Sequence, residues 1–150
     1  MILVDASIWI DHLRAGDDRL ARLLDEGRVV AHPFVTGELA LGNLRHRGAV
    51  LGALQDLPQA CVATETEVLR FIGEKGFFGI GIGIGYIDAP LLAATLLTPD
   101  SWRWTRNKRL FTASARLGIA ANTAQHSTLT ALTNSRKYLP NPVGLLISAR

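Results

Sequence analysis

The sequence predicts an α/β domain built on a parallel sheet. Short aliphatic runs such as Ile2-Leu3-Val4 are typical of strands buried on both faces. Amphipathic stretches with helix-start and helix-stop residues separate these runs. Strands that alternate with helices favour parallel pairing and right-handed crossovers. A length of 150 residues, 48% of them hydrophobic, is sufficient for one compact core.

The predicted strands are short apolar runs, at residues 2–4, 29–31, 61–63, 102–105 and 119–121. A first helix is predicted to begin near residue 7. Further helices are predicted over about 17–27, 33–45, 48–57, 64–76, 88–95 and 107–118. Pro33 suits the first turn of its helix because that position needs no N–H. Thr64 and Glu67 have the spacing of a capping box.

The last 29 residues differ from the rest of the chain. Residues 122–150 are rich in Thr, Ser and Asn, and Pro140 and Pro142 interrupt them. We therefore expect a domain over residues 1–121, followed by a C-terminal extension of unknown role that is accessory or partly disordered.

Composition excludes several classes of protein. The net charge of +3 permits a polyanionic partner without requiring one. Cys61 is the only cysteine, which excludes a disulfide framework and a cysteine-based zinc site, and its apolar neighbours predict a buried thiol. No apolar run approaches the ~18 residues of a membrane span, and no secretion signal is evident. We expect a cytoplasmic protein without a membrane partner.

Two acidic residues stand at predicted element boundaries. Asp5 follows the first buried strand, and open α/β sheets place ligands at the carboxyl ends of their strands. Asp88 opens an apolar helix. Each has an alternative explanation as a helix cap, so neither defines a site by itself.

Glu38 lies on an apolar helix between Phe34 and Leu41. A carboxylate in that setting is expected to be desolvated, protonated, paired or bound to metal, the alternative being a salt bridge to Arg45. Together with Asp5 and Asp88 it supplies the oxygen ligands that Mg²⁺ or Mn²⁺ prefers. The three acids therefore predict a hard-metal site, provided that they meet in the fold.

Four segments resemble the successive motifs of PIN-domain nucleases, specifically the VapC toxins of toxin–antitoxin pairs. They are Met1 to Ile10, Thr36-Gly37-Glu38-Leu39, Gly83 to Ala89 and Trp104 to Leu110. The resemblance implies a three-layer α/β/α sandwich with a central parallel sheet of four to five strands. It also implies Mg²⁺-dependent endonucleolytic cleavage of RNA, a VapB-like antitoxin partner and a homodimer. In such a site Asp5, Glu38 and Asp88 would hold the metal.

Asn107 departs from the family pattern, which generally has a fourth acid there. A neutral oxygen removes one negative charge and weakens metal binding, although Asn is also a good helix N-cap. We assign Asn107 to the catalytic group with the three acids. The predicted substrate-binding residues are Ser7, Thr105, Arg106, Lys108 and Arg109. Arg103, Trp102 and Trp104 are expected at the same mouth, where bases and phosphates would bind.

Two other functions stay open. The chain could be a weakened PIN-like module that binds antitoxin or RNA without efficient cleavage. It could also be a phosphotransfer domain with Asp5 as nucleophile, although Ser7 stands where that chemistry needs a second acid. The glycines from Gly79 to Gly85 lack the register of a nucleotide loop and are interpreted as a flexible approach to Asp88. The expected dimer surface consists of Trp9, Leu13, Leu39, Leu41 and Leu44.

Overall fold

The computed structural model describes residues 1–79 and 83–121. The predictions for the glycine-rich residues 80–82 and for the extension 122–150 lie outside the described residues. In chain order the elements are β1 (Ile2–Val4), α1 (Ala6–Ala15), α2 (Asp18–Asp25), β2 (Val29–Val30), α3 (Pro33–Leu41), α4 (Arg47–Asp56), α5 (Glu65–Lys75), α6 (Asp88–Leu97), β3 (Trp102–Trp104) and α7 (Lys108–Arg116).

The sheet has three strands in the described residues, all parallel, in the order β2-β1-β3. The central strand β1 is fully buried, which accounts for its purely aliphatic sequence. Isolated parallel bridges extend the sheet on each side, from Ala31 to Gln59 and from Arg103 to Ala120. The predicted α/β class with a parallel sheet is confirmed, and the arrangement is compatible with a PIN-like fold.

The predicted outer strand at 61–63 is wrong, because the bridge on that side lies at Gln59. The strand predicted at 119–121 is confirmed in part, since it pairs with β3 in parallel, but only through the bridge at Ala120. The chain pairs at Gln59 with Ala31, just after β2, and has left the sheet by Cys61, which is exposed. The backbone N–H of Cys61 donates to Thr98 Oγ1 at the end of α6, 2.9 Å away. The expected buried thiol is therefore also wrong.

Helix starts follow their caps closely. Asp17 accepts hydrogen bonds from the N–H groups of Arg19 and Leu20, and the capping box of Thr64 and Glu67 forms as predicted. Helix α3 ends earlier than predicted, at Leu41, because Gly42 takes an extended conformation. Leu44 continues the apolar spacing past this point, but the backbone is no longer helical there.

Buried residues form two clusters. The larger joins the sheet to α1, α2, α3 and α4, and the smaller joins α5, α6 and α7. Trp9 and Leu39 belong to the larger cluster and are each 1% exposed, so the structure does not offer them to a second copy as expected. Leu41, in contrast, is 91% exposed. Within the described ranges, no helix has the length and hydropathy needed to cross a bilayer.

His32 is a buried cap at the carboxyl end of β2. Its Nδ1 accepts the N–H of Phe34, 3.1 Å away, at the start of α3. Burial and, to a smaller extent, the positive charge of Arg103 together lower the pKa of His32 to about 4. The folded protein therefore holds a neutral imidazole whose Nδ1 is the acceptor.

This cap predicts acid sensitivity. Unfolded His32 takes up a proton near pH 6.5 and folded His32 near pH 4, so its contribution to stability is present above pH 6.5 and is lost as the pH falls to 4. The loss should approach about 1.4 kcal/mol per pH unit in this window. Urea unfolding of the wild type and of His32→Asn, which can cap without titrating, measures it. If the free energy of unfolding changed with pH by the same amount in the two proteins, the assignment would be contradicted.

Candidate active site

The carboxyl edge of the sheet brings three predicted site elements together. Asp5 directly follows β1, and its N–H donates to the carbonyl oxygen of Trp104 at the end of β3, 2.9 Å away. Glu38 lies on α3, which starts just after β2, and Asp88 is the first residue of α6. Each acid therefore comes from a different element, at the edge where open α/β sheets bind ligands.

Asp5 is held at both carboxylate oxygens. Its Oδ1 accepts a hydrogen bond from Arg103 Nη2 and its Oδ2 from Ser7 Oγ, each at 2.7 Å. Although Asp5 occupies the N-cap position of α1, its side chain makes no capping hydrogen bond. The capping explanation for this acid therefore fails, because its side chain is hydrogen-bonded to Ser7 and Arg103 and not to the helix N–H groups.

Glu38 is exposed, contrary to the expectation of a residue enclosed by apolar neighbours. Phe34 and Leu41 are themselves exposed, so α3 does not surround the carboxylate. Partial desolvation nevertheless raises the pKa of Glu38, the charges of Asp5 and Asp88 raise it further, and Arg103 lowers it. The charges of Asp5 and Asp88 thus disfavour the ionised form of Glu38. The ion pairs of the described chain do not join Glu38 to Arg45.

Asp88 is half-buried at the start of α6. Its Oδ2 accepts a hydrogen bond from the N–H of Gly85, 3.1 Å away, and closes the turn that leads into the helix. The N-cap position itself belongs to Ile87. One Asp88 oxygen therefore stabilises the turn, and the other makes no hydrogen bond to the described residues. A structural role and a functional role for Asp88 are thus compatible.

The donor set is the kind that hard divalent cations prefer, since all three side chains offer carboxylate oxygens. In the described residues, no three His, Cys, Asp or Glu side chains are grouped closely enough to form a ready-made metal centre. The charges of Asp5 and Asp88 nevertheless raise the pKa of Glu38, and all three acids raise the pKa of Arg103. The type of donor fits Mg²⁺, and rotation of the Glu38 and Asp88 side chains would have to bring their oxygens to the fixed carboxylate of Asp5.

Arg103 is the site residue that sequence reasoning misplaced. It was expected at the surface with its basic neighbours, yet it is 0% exposed. Side chains alternate along β3, so Arg103 points to the face opposite that of Trp102 and Trp104. A charge inside a strand needs a counter-charge, and Asp5 at the end of the neighbouring strand was the available signal.

The other basic residues have separate environments. Arg106 lies 3.0 Å from Asp11 and 3.8 Å from Asp17, so two surface acids already engage it. Lys108 is exposed at the start of α7. The side chain of Arg109 lies against Gly83, where a Cβ would come within 2.6 Å of it. Lys108 is therefore the least encumbered of the three predicted phosphate-binding residues.

The polar residues after β3 mainly organise the backbone. Thr105 Oγ1 accepts the N–H of Asn107 at 3.1 Å. Asn107 Oδ1 in turn accepts the N–H groups of Arg109 and Leu110, which caps α7. The cap predicted for Asn107 is confirmed, and its catalytic role stays a prediction. Trp104 is covered by the guanidinium of Arg19, 4.3 Å from the ring centre, so it is not a free stacking surface.

A parallel α/β domain with acids from three elements at its carboxyl edge is compatible with the PIN-like class of nuclease domains. Two curated proteins are similar to it: Ribonuclease VapC32 from Mycobacterium tuberculosis strain CDC 1551 / Oshkosh and from strain ATCC 25618 / H37Rv. Each is 47% identical over 120 residues, which is 80% of this chain and 95% of the relative. The chain therefore belongs to the VapC family of PIN-domain ribonucleases. No protein-family model and no solved structure matches it.

The pair of Asp5 and Arg103 predicts that Asp5→Ala destabilises the fold. The change leaves a buried guanidinium without its counter-charge, at an expected cost of about 3 kcal/mol or more. Asp11→Ala breaks the exposed pair with Arg106 and should cost less than about 1 kcal/mol. Urea unfolding of both variants makes the comparison. Equal losses of stability would show that the buried pair has no special role.

Proposed function

We propose that this chain is a metal-dependent endoribonuclease and the toxin of a toxin–antitoxin pair. The observation that carries the proposal is the shared electrostatic environment of Asp5, Glu38 and Asp88. It occurs in a chain that is 47% identical to proteins named Ribonuclease VapC32. RNA as substrate and a VapB-like antitoxin as partner follow from that family.

Asp5, Glu38 and Asp88 would hold Mg²⁺, or Mn²⁺ as a substitute. When bound, such an ion supplies Lewis-acid polarisation of water and of phosphate oxygens, and so supports cleavage to a 5′-phosphate and a 3′-hydroxyl. The acids suit the ion because their oxygens are hard ligands and because a cation relieves their repulsion. Partial burial, together with repulsion from Asp5 and Asp88, raises the pKa of Glu38.

The chain's own residues contribute orientation and proton affinity. Ser7 and Arg103 fix the two oxygens of Asp5, so its carboxylate needs little rearrangement before it acts. Glu38 is exposed enough to reach substrate, and its raised pKa favours a role as proton acceptor. Lys108, which is exposed at the start of α7, would bind an RNA phosphate.

Unlike the loss of Asp5, the loss of the carboxylate of Glu38 or Asp88 should remove cleavage with little effect on stability. Glu38→Gln and Asp88→Asn retain shape but abolish the charge, and we expect each to slow RNA cleavage by about a hundredfold or more. Asp25→Asn, on the exposed end of α2, is the matched control. Cleavage of a labelled RNA pool with Mg²⁺, against an EDTA reaction, measures the rates. Wild-type rates in the folded variants would remove these acids from the site.

Asn107 offers a test of the missing fourth charge. Asn107→Asp keeps the N-cap of α7 and adds a negative charge, so Mg²⁺ should bind more tightly and cleavage should accelerate. Asn107→Ser also caps but stays neutral, and it should behave like the wild type. Isothermal titration with Mg²⁺ and cleavage rates provide the two measurements. Equal or weaker binding by the aspartate variant would contradict a role in the metal site.

Asn107 also supports the second candidate, a PIN-like module that binds antitoxin or RNA but turns over poorly. Total cellular RNA incubated with Mg²⁺ or Mn²⁺, with an EDTA control, separates this module from an active nuclease. A homodimer and a cytoplasmic location stay predictions. Of the five residues expected at the dimer surface, Leu41 is the one that stands clear of the core.

A further inference from the structure

A buried cation underlies the acidic centre. Arg103 is fully buried in β3, and its Nη2 lies 2.7 Å from Asp5 Oδ1. The register of the sheet explains the contact, since Leu3 pairs with Arg103 and Asp5 comes two residues after Leu3. A guanidinium in this position costs considerable desolvation, and an apolar residue would normally stabilise the strand better.

The guanidinium is not satisfied by Asp5 alone. Its Nε and Nη1 are buried and make no hydrogen bond within the described residues. Burial lowers the pKa of Arg103, while Asp5, Asp88 and Glu38, in that order, raise it. Arg103 therefore forms an ion pair with Asp5 and is also influenced by the charges of Asp88 and Glu38. Among the ion pairs of the described residues, no other buried cation pairs with these acids.

We propose that Arg103 is the fixed counter-cation of the acidic centre: it positions Asp5 and holds down the affinity of the three carboxylates for a divalent cation. This inference rests on the metal site of the proposed function. When all groups are ionised, three carboxylates and one guanidinium leave two negative charges, which one divalent ion balances. With Asn107 at the family's acidic position, the site is matched to a single ion.

Removal of Arg103 should separate metal binding from turnover. In Arg103→Met the opposing charge is lost, so Mn²⁺ or Mg²⁺ should bind about tenfold more tightly. Cleavage at saturating metal should nevertheless slow, because Asp5 loses the contact that orients it. Arg103→Lys keeps the charge but not the planar fork, so its metal affinity should stay within about threefold of the wild type.

Isothermal titration with Mn²⁺ and single-turnover cleavage measure the two effects on the full chain. Arg28→Met is the matched control, because Arg28 precedes β2 at the opposite end of the sheet. Its metal affinity should equal that of the wild type. Unchanged or weaker binding in Arg103→Met, or equal tightening in Arg103→Lys, would overturn the proposal.

A second measurement avoids dependence on the folding of Arg103→Met. The side-chain N–H signals of Arg103, assigned by NMR from their loss in Arg103→Lys, should shift when Mg²⁺ is added to the wild type. No shift at saturating Mg²⁺ would overturn the proposal. Wild-type cleavage that needs Mg²⁺, without these effects, would reject the counter-cation and leave the proposed function intact. Tighter binding in Arg103→Met with no cleavage by any form would do the reverse.

Discussion

The ion pair between Asp5 and Arg103 is the interaction on which the site depends. It joins the end of the central strand β1 to the interior of its neighbour β3, and parallel register makes the contact possible. Because β1 has a strand on each side, its carboxyl end lies in the middle of the sheet edge. Asp5, which directly follows β1, therefore lies at the same edge of the sheet as Glu38 of α3 and Asp88 of α6.

Local signals in the sequence predicted local structure well. The caps at Thr64 and Asn107 form as expected, because an N-cap depends on a few adjacent residues. The acid after β1 was also identified, since a strand buried on both faces has a characteristic composition. The family resemblance supplied the grouping of Asp5 with Glu38 and Asp88, which spacing along the chain could not establish.

Features that depend on distant partners were missed. Whether residues 61–63 form a strand depends on how far the chain stays beside the sheet after Gln59. The apolar composition of these residues does not reveal this. The burial of Arg103 depends on an acid 98 positions earlier in the chain. Glu38 was expected inside an apolar surround, but Phe34 and Leu41 on the same helix are exposed, and hydropathy alone cannot distinguish a buried helix face from an open one.

The exposed position of Cys61 has a practical consequence for work with this protein. As the sole cysteine of the chain, and on the surface, it can form a disulfide with the same residue of another molecule under oxidising conditions. Such covalent pairs would migrate at twice the monomer mass. Sedimentation or light scattering without a reductant would then register oxidation of a thiol as self-association.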